Sequence, residues 1–204
     1  MKLFISPASP FVRKCRIIVR EKGLGQQVTE VDTVPYDNPA DLLQVNPIAQ
    51  IPALVRDDGV ALTDSLLIGA WLDHVGQGDA LIPHVSEGDA HWRVRRHEML
   101  GHGVLDLCVK CVLERRRPVS EQSPSHIERW KSGILRALDV AETLAAKGEL
   151  KAAPLTMGNL TVGVALTYLD FRLPDFVWKD SRPALVALQA EIETRPSFAE
   201  TAPR

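Results

Sequence analysis

Apolar positions change their spacing along the chain, and the change divides it in two. Lys2 to Ile5 is a brief apolar run that predicts a strand. From Pro10 to Lys22, Phe11, Cys15, Ile18 and Val19 recur at helical spacing, and Gly23 follows as a stop. Gln27 to Val31 alternates and contains β-branched residues, which predicts a second strand. Pro39 to Val45 reads as a short helix. Ala53 to Arg56 and Val60 to Leu62 flank Asp57-Asp58-Gly59, a hairpin signal. Leu66 to Val75 returns to helical spacing, so the predicted order is βαβαββα.

Gly76-Gln77-Gly78-Asp79 interrupts this pattern and Ile82-Pro83 follows, which marks a linker. Strand signals cease after Glu87. Helices are predicted over about Glu87 to Arg115, Pro124 to Lys147, Met157 to Leu169 and Ala184 to Thr194. Pro118 to Pro124 and Gly148 to Pro154 separate them. The expected fold class is α/β plus all-α, with an α/β domain over 1–76 and an all-helical domain over 86–204.

Composition narrows the class. With 45% hydrophobic and 25% charged residues, the 204-residue chain has an ordinary globular balance. A net charge of −2 suggests neither nucleic acid nor an anionic membrane as partner. No apolar run is long enough to cross a bilayer, and the apolar stretch in MKLFISPASP is too short for a signal peptide. A cytoplasmic location is therefore expected. Three cysteines, an odd number, fit a reducing compartment. Cys108 and Cys111 form C-x-x-C, but their surroundings read as mid-helix, which suits small buried hydrophobes. A zinc site there would need His97 or His102 in addition, and no metal is expected.

Three short segments carry chemistry. Ser9-Pro10 pairs a favoured N-cap with a favoured first helical residue, so the Ser9 hydroxyl sits at the positive end of a helix. Ser6 competes for the same role. Neither serine lies in G-x-S-x-G, so a hydrolase is not supported. In Asn46-Pro47-Ile48-Ala49-Gln50-Ile51-Pro52-Ala53-Leu54, Pro52 precedes a strand, where a cis peptide can expose the backbone of Ile51 to an extended peptide-like ligand. In Leu62-Thr63-Asp64-Ser65-Leu66-Leu67, Asp64 and Ser65 enter a helix within its first turn. Backbone N–H groups and the Ser65 hydroxyl suit a carboxylate there, and Asp64 suits an ammonium, the two ends of an α-amino acid.

Taken in order, these segments resemble the cytosolic glutathione S-transferase family, in its bacterial, serine-type form. The resemblance rests on S-P-F-V-R-K at 9–14, N-P-x-x-Q-I-P-A-L at 46–54 and D-S-L-L-I at 64–68. It extends to Thr156-Met-Gly-Asn159 as a helix-capping box, with Leu155 and Leu160 as its staple, and to Arg195-Pro-Ser-Phe198. It implies a thioredoxin-like N-terminal domain that binds glutathione as co-substrate, a helical domain forming the electrophile pocket, and a homodimer.

By that resemblance Ser9 donates to the glutathione sulfur, Ile51 and Pro52 present the backbone that pairs with the cysteinyl unit, Asp64 and Ser65 hold the γ-glutamyl head group, and Gln50 contacts the glycine carboxylate. Phe11 joins the same glutathione-binding set. Asp64 stands where the family usually has Glu, one methylene longer, and Asn159 stands where its capping box has Asp. Serine at position 9 implies conjugation, peroxide reduction or isomerisation rather than mixed-disulfide chemistry. A non-catalytic binding protein of the stringent-starvation type, or a glutathione-dependent reductase or peroxidase, are the alternatives. Cys15 is expected in the core or at an interface, and Trp71, Trp92, Trp130 and Trp178 are expected to pack.

Overall fold

The computed structural model describes all 204 residues and resolves into two compact units. The first comprises Met1–Leu81 together with Pro196–Arg204; the second comprises Ile82–Arg195.

In the first unit, β1 (Lys2–Ile5) lies between β2 (Thr29–Asp32) and β3 (Ala53–Val55). It runs parallel to β2 and antiparallel to β3, and β3 pairs antiparallel with β4 (Ala61–Thr63). Helix α1 (Pro10–Glu21) crosses over from β1 to β2, α2 (Ala40–Val45) precedes β3, and α3 (Ser65–Val75) follows β4. The order βαβαββα and the thioredoxin-like sheet are therefore as the sequence implies. Leu3, Phe4 and Ile5 of β1, Val12, Ile17 and Ile18 of α1, and Ile68 and Leu72 of α3 are buried and form its core. A smaller cluster of Phe4, Leu42 and Ala53 sits under the segment that leads into β3.

The division of the chain differs from the expected break at one end. The tail was expected with the helical domain, but α8 (Pro196–Ala199) packs on α1 in the first unit. The cause lies in α1 itself. This helix buries Arg13 and Lys14 as well as its apolar residues, and the extra face is covered by Phe198, which is also buried.

The second unit contains α4 (Asp89–Arg115), α5 (Pro124–Ala146), α6 (Met157–Arg172) and α7 (Pro183–Ile192). Every residue from Met157 to Leu166 is buried, so α6 is the central helix, enclosed on all sides over that stretch. Its close contact with α4 depends on two glycines. A Cβ on Gly101 would sit 2.8 Å from the Val162 backbone nitrogen, and one on Gly158 would sit 2.6 Å from the His97 Cβ. No helix is long and apolar enough to cross a membrane.

Two local expectations change. Asp64 is the N-cap of α3 rather than a residue of its first turn, because its backbone adopts φ 71° while its carboxylate accepts from the Leu66 N–H at 2.7 Å. Thr156 caps α6 by accepting from the Asn159 N–H at 3.2 Å, as a capping box requires. The Asn159 side chain, however, donates to the Lys151 carbonyl at 2.6 Å, where an aspartate would have nothing to donate.

Candidate functional site

Strand register brings the three chemical segments together. Phe4 stands opposite Ala53, and Ala53 opposite Thr63. The turn that leaves β1, the Ile51-Pro52 peptide that enters β3, and Asp64-Ser65 that leave β4 therefore lie side by side at one end of the sheet. Ligands of open α/β sheets occupy this kind of edge.

The turn after β1 closes through the Ser9 N–H, which donates to the Ser6 carbonyl at 3.0 Å. Ser9 is extended (φ −83°, ψ 123°) and caps α1, its hydroxyl oxygen accepting from the Val12 N–H at 3.4 Å. The Ser9 carbonyl accepts the Arg13 N–H at 2.9 Å, and Pro10 occupies the first helical position. No acidic residue lies in the first turn, so the positive end of α1 is not neutralised by the helix itself. The Ser9 hydroxyl proton meets no acceptor in the chain and is available to an anion. Phe11 is half-buried one residue into the same turn.

The Ile51-Pro52 bond is cis. The Ile51 side chain packs against Phe4, Leu42 and Ala53, so the residue is anchored. Its backbone N–H and C=O form no hydrogen bond within the chain, a combination that suits an added extended strand. Asn46 braces this segment from below. It is 3% exposed; its amide donates to the Gln50 carbonyl at 2.7 Å and its oxygen accepts from the Ile48 N–H at 3.2 Å. Gln50 itself is exposed beside Ile51. The signal for this role in the sequence is Asn followed by Pro, a turn former whose side chain bonds its own backbone two residues on.

At the third segment, Asp64 is exposed and Ser65 is 1% exposed. The Ser65 hydroxyl oxygen has no hydrogen-bond partner in the protein. Buried hydroxyls are satisfied as a rule, so a bare one at the first position of α3 points to a ligand. The Asp64 carboxylate uses Oδ1 on the Leu66 N–H. No group of the chain bonds its second oxygen.

The cysteines do not compete. Burial pushes the Cys15 thiol up to about 12 and the Cys111 thiol up to about 11, and Cys108 is raised by burial as well. All three are buried and free. A thiol in that state supplies almost no thiolate at neutral pH. No group of three or more His, Cys, Asp or Glu is placed to hold a metal, and His97 lies among the buried residues of α4.

Residues 8–75 match the model of the glutathione S-transferase N-terminal domain. Over 203 residues the chain is 34% identical to the uncharacterized GST-like protein YibF of Escherichia coli K12, covering all of this chain and 98% of that one. The chain belongs to the glutathione S-transferase family. A glutathione transferase family member from Pseudomonas fluorescens Pf-5, solved with bound glutathione, superposes with a TM-score of 0.92 at 35% identity over 100% of this chain and 98% of that one. A glutathione S-transferase from Methylobacillus flagellatus KT with glutathione bound gives 0.91 at 33% identity, over 100% and 99%. Family membership and sheet-edge geometry thus converge on the same first unit.

Proposed function

We propose that this chain is a glutathione S-transferase that binds glutathione at the Ser9, Ile51 and Ser65 edge and activates its thiol for conjugation to hydrophobic electrophiles. The observation that carries this is the buried Ser65 hydroxyl with no partner, at the start of α3. It accounts for a group that would otherwise cost about 1–3 kcal/mol to leave unsatisfied. The γ-glutamyl carboxylate takes the Ser65 hydroxyl and the N-terminal N–H groups of α3, and the free Asp64 oxygen takes the ammonium. Ile51 pairs its N–H and C=O with the cysteinyl unit, following Pro52 into β3. Gln50 reaches the glycine carboxylate, and Phe11 borders the thiol.

Ser9 then supplies the chemistry. An ordinary thiol has a pKa near ~8.5, so only a few per cent is ionised at neutral pH. A hydroxyl donor and an uncompensated helix N-terminus both favour the thiolate. The thiol proton leaves to solvent. The sulfur lone pair forms the new C–S bond, and in a substitution the leaving group departs with its bonding pair. The enzyme sets charge and position and forms no covalent bond of its own. A cytoplasmic homodimer with a detoxifying role completes the proposal.

Calorimetric titration with glutathione, followed by conjugation of a generic aryl halide by wild type and Ser9→Ala, tests it. Binding retained with turnover sharply reduced is expected. Absence of glutathione affinity in the wild type would replace it with a non-catalytic binding protein. Unchanged turnover in Ser9→Ala would move the role to Ser6. Efficient disulfide exchange would favour the reductase, against the burial of Cys15.

A further inference from the structure

We propose that the C-terminal segment Pro196–Arg204 is a clamp on α1, and that Arg13 is the positioning residue through which it fixes the Ser9 hydroxyl against the glutathione sulfur. Arg13 is the link because it touches both ends. Its backbone N–H closes the first turn on the Ser9 carbonyl at 2.9 Å. Its guanidinium donates to the Phe198 carbonyl at 3.2 Å and lies 5.4 Å from the centre of the Phe198 ring. Arg13 is 3% exposed and Phe198 1%. A guanidinium is costly to bury, so its bond to the Phe198 carbonyl, made away from water, holds it in one place.

The rest of the clamp is spread along the helix. The Ser197 hydroxyl bonds the Glu21 carboxylate at 2.5 Å, and Arg20 donates to Glu200 at 3.0 Å. The Thr201 hydroxyl folds the segment back onto the Ser197 carbonyl at 2.7 Å. Three contacts over the length of α1 fix a rigid helix in translation and rotation. Hydrogen-bond strength falls steeply with distance and angle, so a small shift of α1 weakens the Ser9 contact to sulfur. Arg13 is itself buried, so its role is to position Ser9.

The clamp has meaning only if glutathione occupies the site, and the test separates the two. The apparent pKa of the bound thiol is read from thiolate ultraviolet absorbance across pH, on full-length protein, with glutathione Kd measured in parallel. For Arg13→Met, a rise of about one unit is expected, or roughly tenfold less thiolate at neutral pH, with Kd close to wild type. Arg13→Lys restores part of the shift, because an ammonium also donates to the Phe198 carbonyl. A merely structural residue would alter stability and leave the pKa of the bound thiol in place. If Arg13→Met does not fold, Phe198→Leu keeps an apolar side chain at this buried position while removing the ring face, and a smaller rise is expected. A wild type that does not bind glutathione defeats the site itself. A wild type that lowers the thiol pKa, with folded variants that lower it equally, overturns the clamp alone.

Discussion

Lys22 and Asp73 form an ion pair at 3.1 Å with side chains 2% and 6% exposed. Lys22 also donates to the Asp79 carbonyl at 2.8 Å, and Asp73 accepts from the Leu81 N–H at 2.9 Å. The pair thus ties the end of α1 and the end of α3 to the segment that closes the first unit. Removing one partner leaves a buried charge uncompensated, so Asp73→Asn is expected to destabilise by about 3–5 kcal/mol in urea unfolding. The double variant Lys22→Met, Asp73→Leu is expected closer to wild type, and a double variant as weak as Asp73→Asn would refute the uncompensated-charge explanation.

Ser65→Ala should separate binding from stability. The hydroxyl has no partner in the protein, so its removal is expected to leave the unliganded thermal midpoint unchanged or raised. Glutathione affinity is expected to fall by roughly 10–100-fold, the equivalent of about 1.5–3 kcal/mol for a hydrogen bond to a charged group. Loss of stability without loss of affinity would assign Ser65 to the fold.

His97 predicts a pH dependence. Burial lowers its pKa below the usual 6.5, outweighing the Glu149 carboxylate 3.9 Å away, while Arg96 and Arg93 push in the same direction as burial. The unfolded chain then binds more protons than the native one between the native pKa and 6.5, so stability rises with pH across that window and is lost on acidification. The thermal midpoint of His97→Leu is expected to depend less on pH between 7 and about 5 than that of wild type, whatever its offset. Parallel curves would exclude His97 as the source.

Gly101→Ala tests the contact between α4 and α6. Alanine favours an isolated helix by about 1 kcal/mol. Here its Cβ would meet backbone atoms of Thr161 and Val162 within 2.9 Å, and backbone does not give way easily. Net destabilisation of about 1–3 kcal/mol is expected from chemical denaturation. A more stable Gly101→Ala would show that the helices separate without cost.

Glu142 of α5 supplies an N-cap from another helix. Its carboxylate accepts from the Ala184 N–H at 3.0 Å and the Leu185 N–H at 2.8 Å, at the start of α7. Arg182, the N-cap residue itself, makes no side-chain cap. Glu142→Ala is expected to cost about 0.5–2 kcal/mol, with Glu142→Gln retaining part of it. Hydrogen exchange should show faster opening of the first turn of α7 in Glu142→Ala.

Local signals account for what the sequence revealed. Helical and alternating spacing, Gly23 as a stop and Asp57-Asp58-Gly59 as a hairpin each act within a few residues, and each element they predict is present, with ends displaced by a few residues. Ser9 was legible as a cap because its neighbours announce a helix, whereas the positive φ that makes Asp64 a cap is not written in its neighbours. What stayed hidden depends on partners distant in sequence. Phe198 covers Arg13 from 185 positions away, Glu142 caps a helix 42 positions on, and Gly101 matters only because α6 passes beside it. The role of Asn159 is hidden for a different reason: an amide can donate or accept, and the Lys151 carbonyl, which no motif encodes, decides which.

The tail that packs on α1 makes the first unit discontinuous in sequence, with Ile82–Arg195 inserted between its parts. A ribosome therefore delivers β1 and α1 before Ile82–Arg195, but the segment that covers Arg13 only after it. Until then the nascent unit carries a buried-type arginine facing water, and its last contacts wait for a long loop to close. The first unit is begun before the second and completed after it.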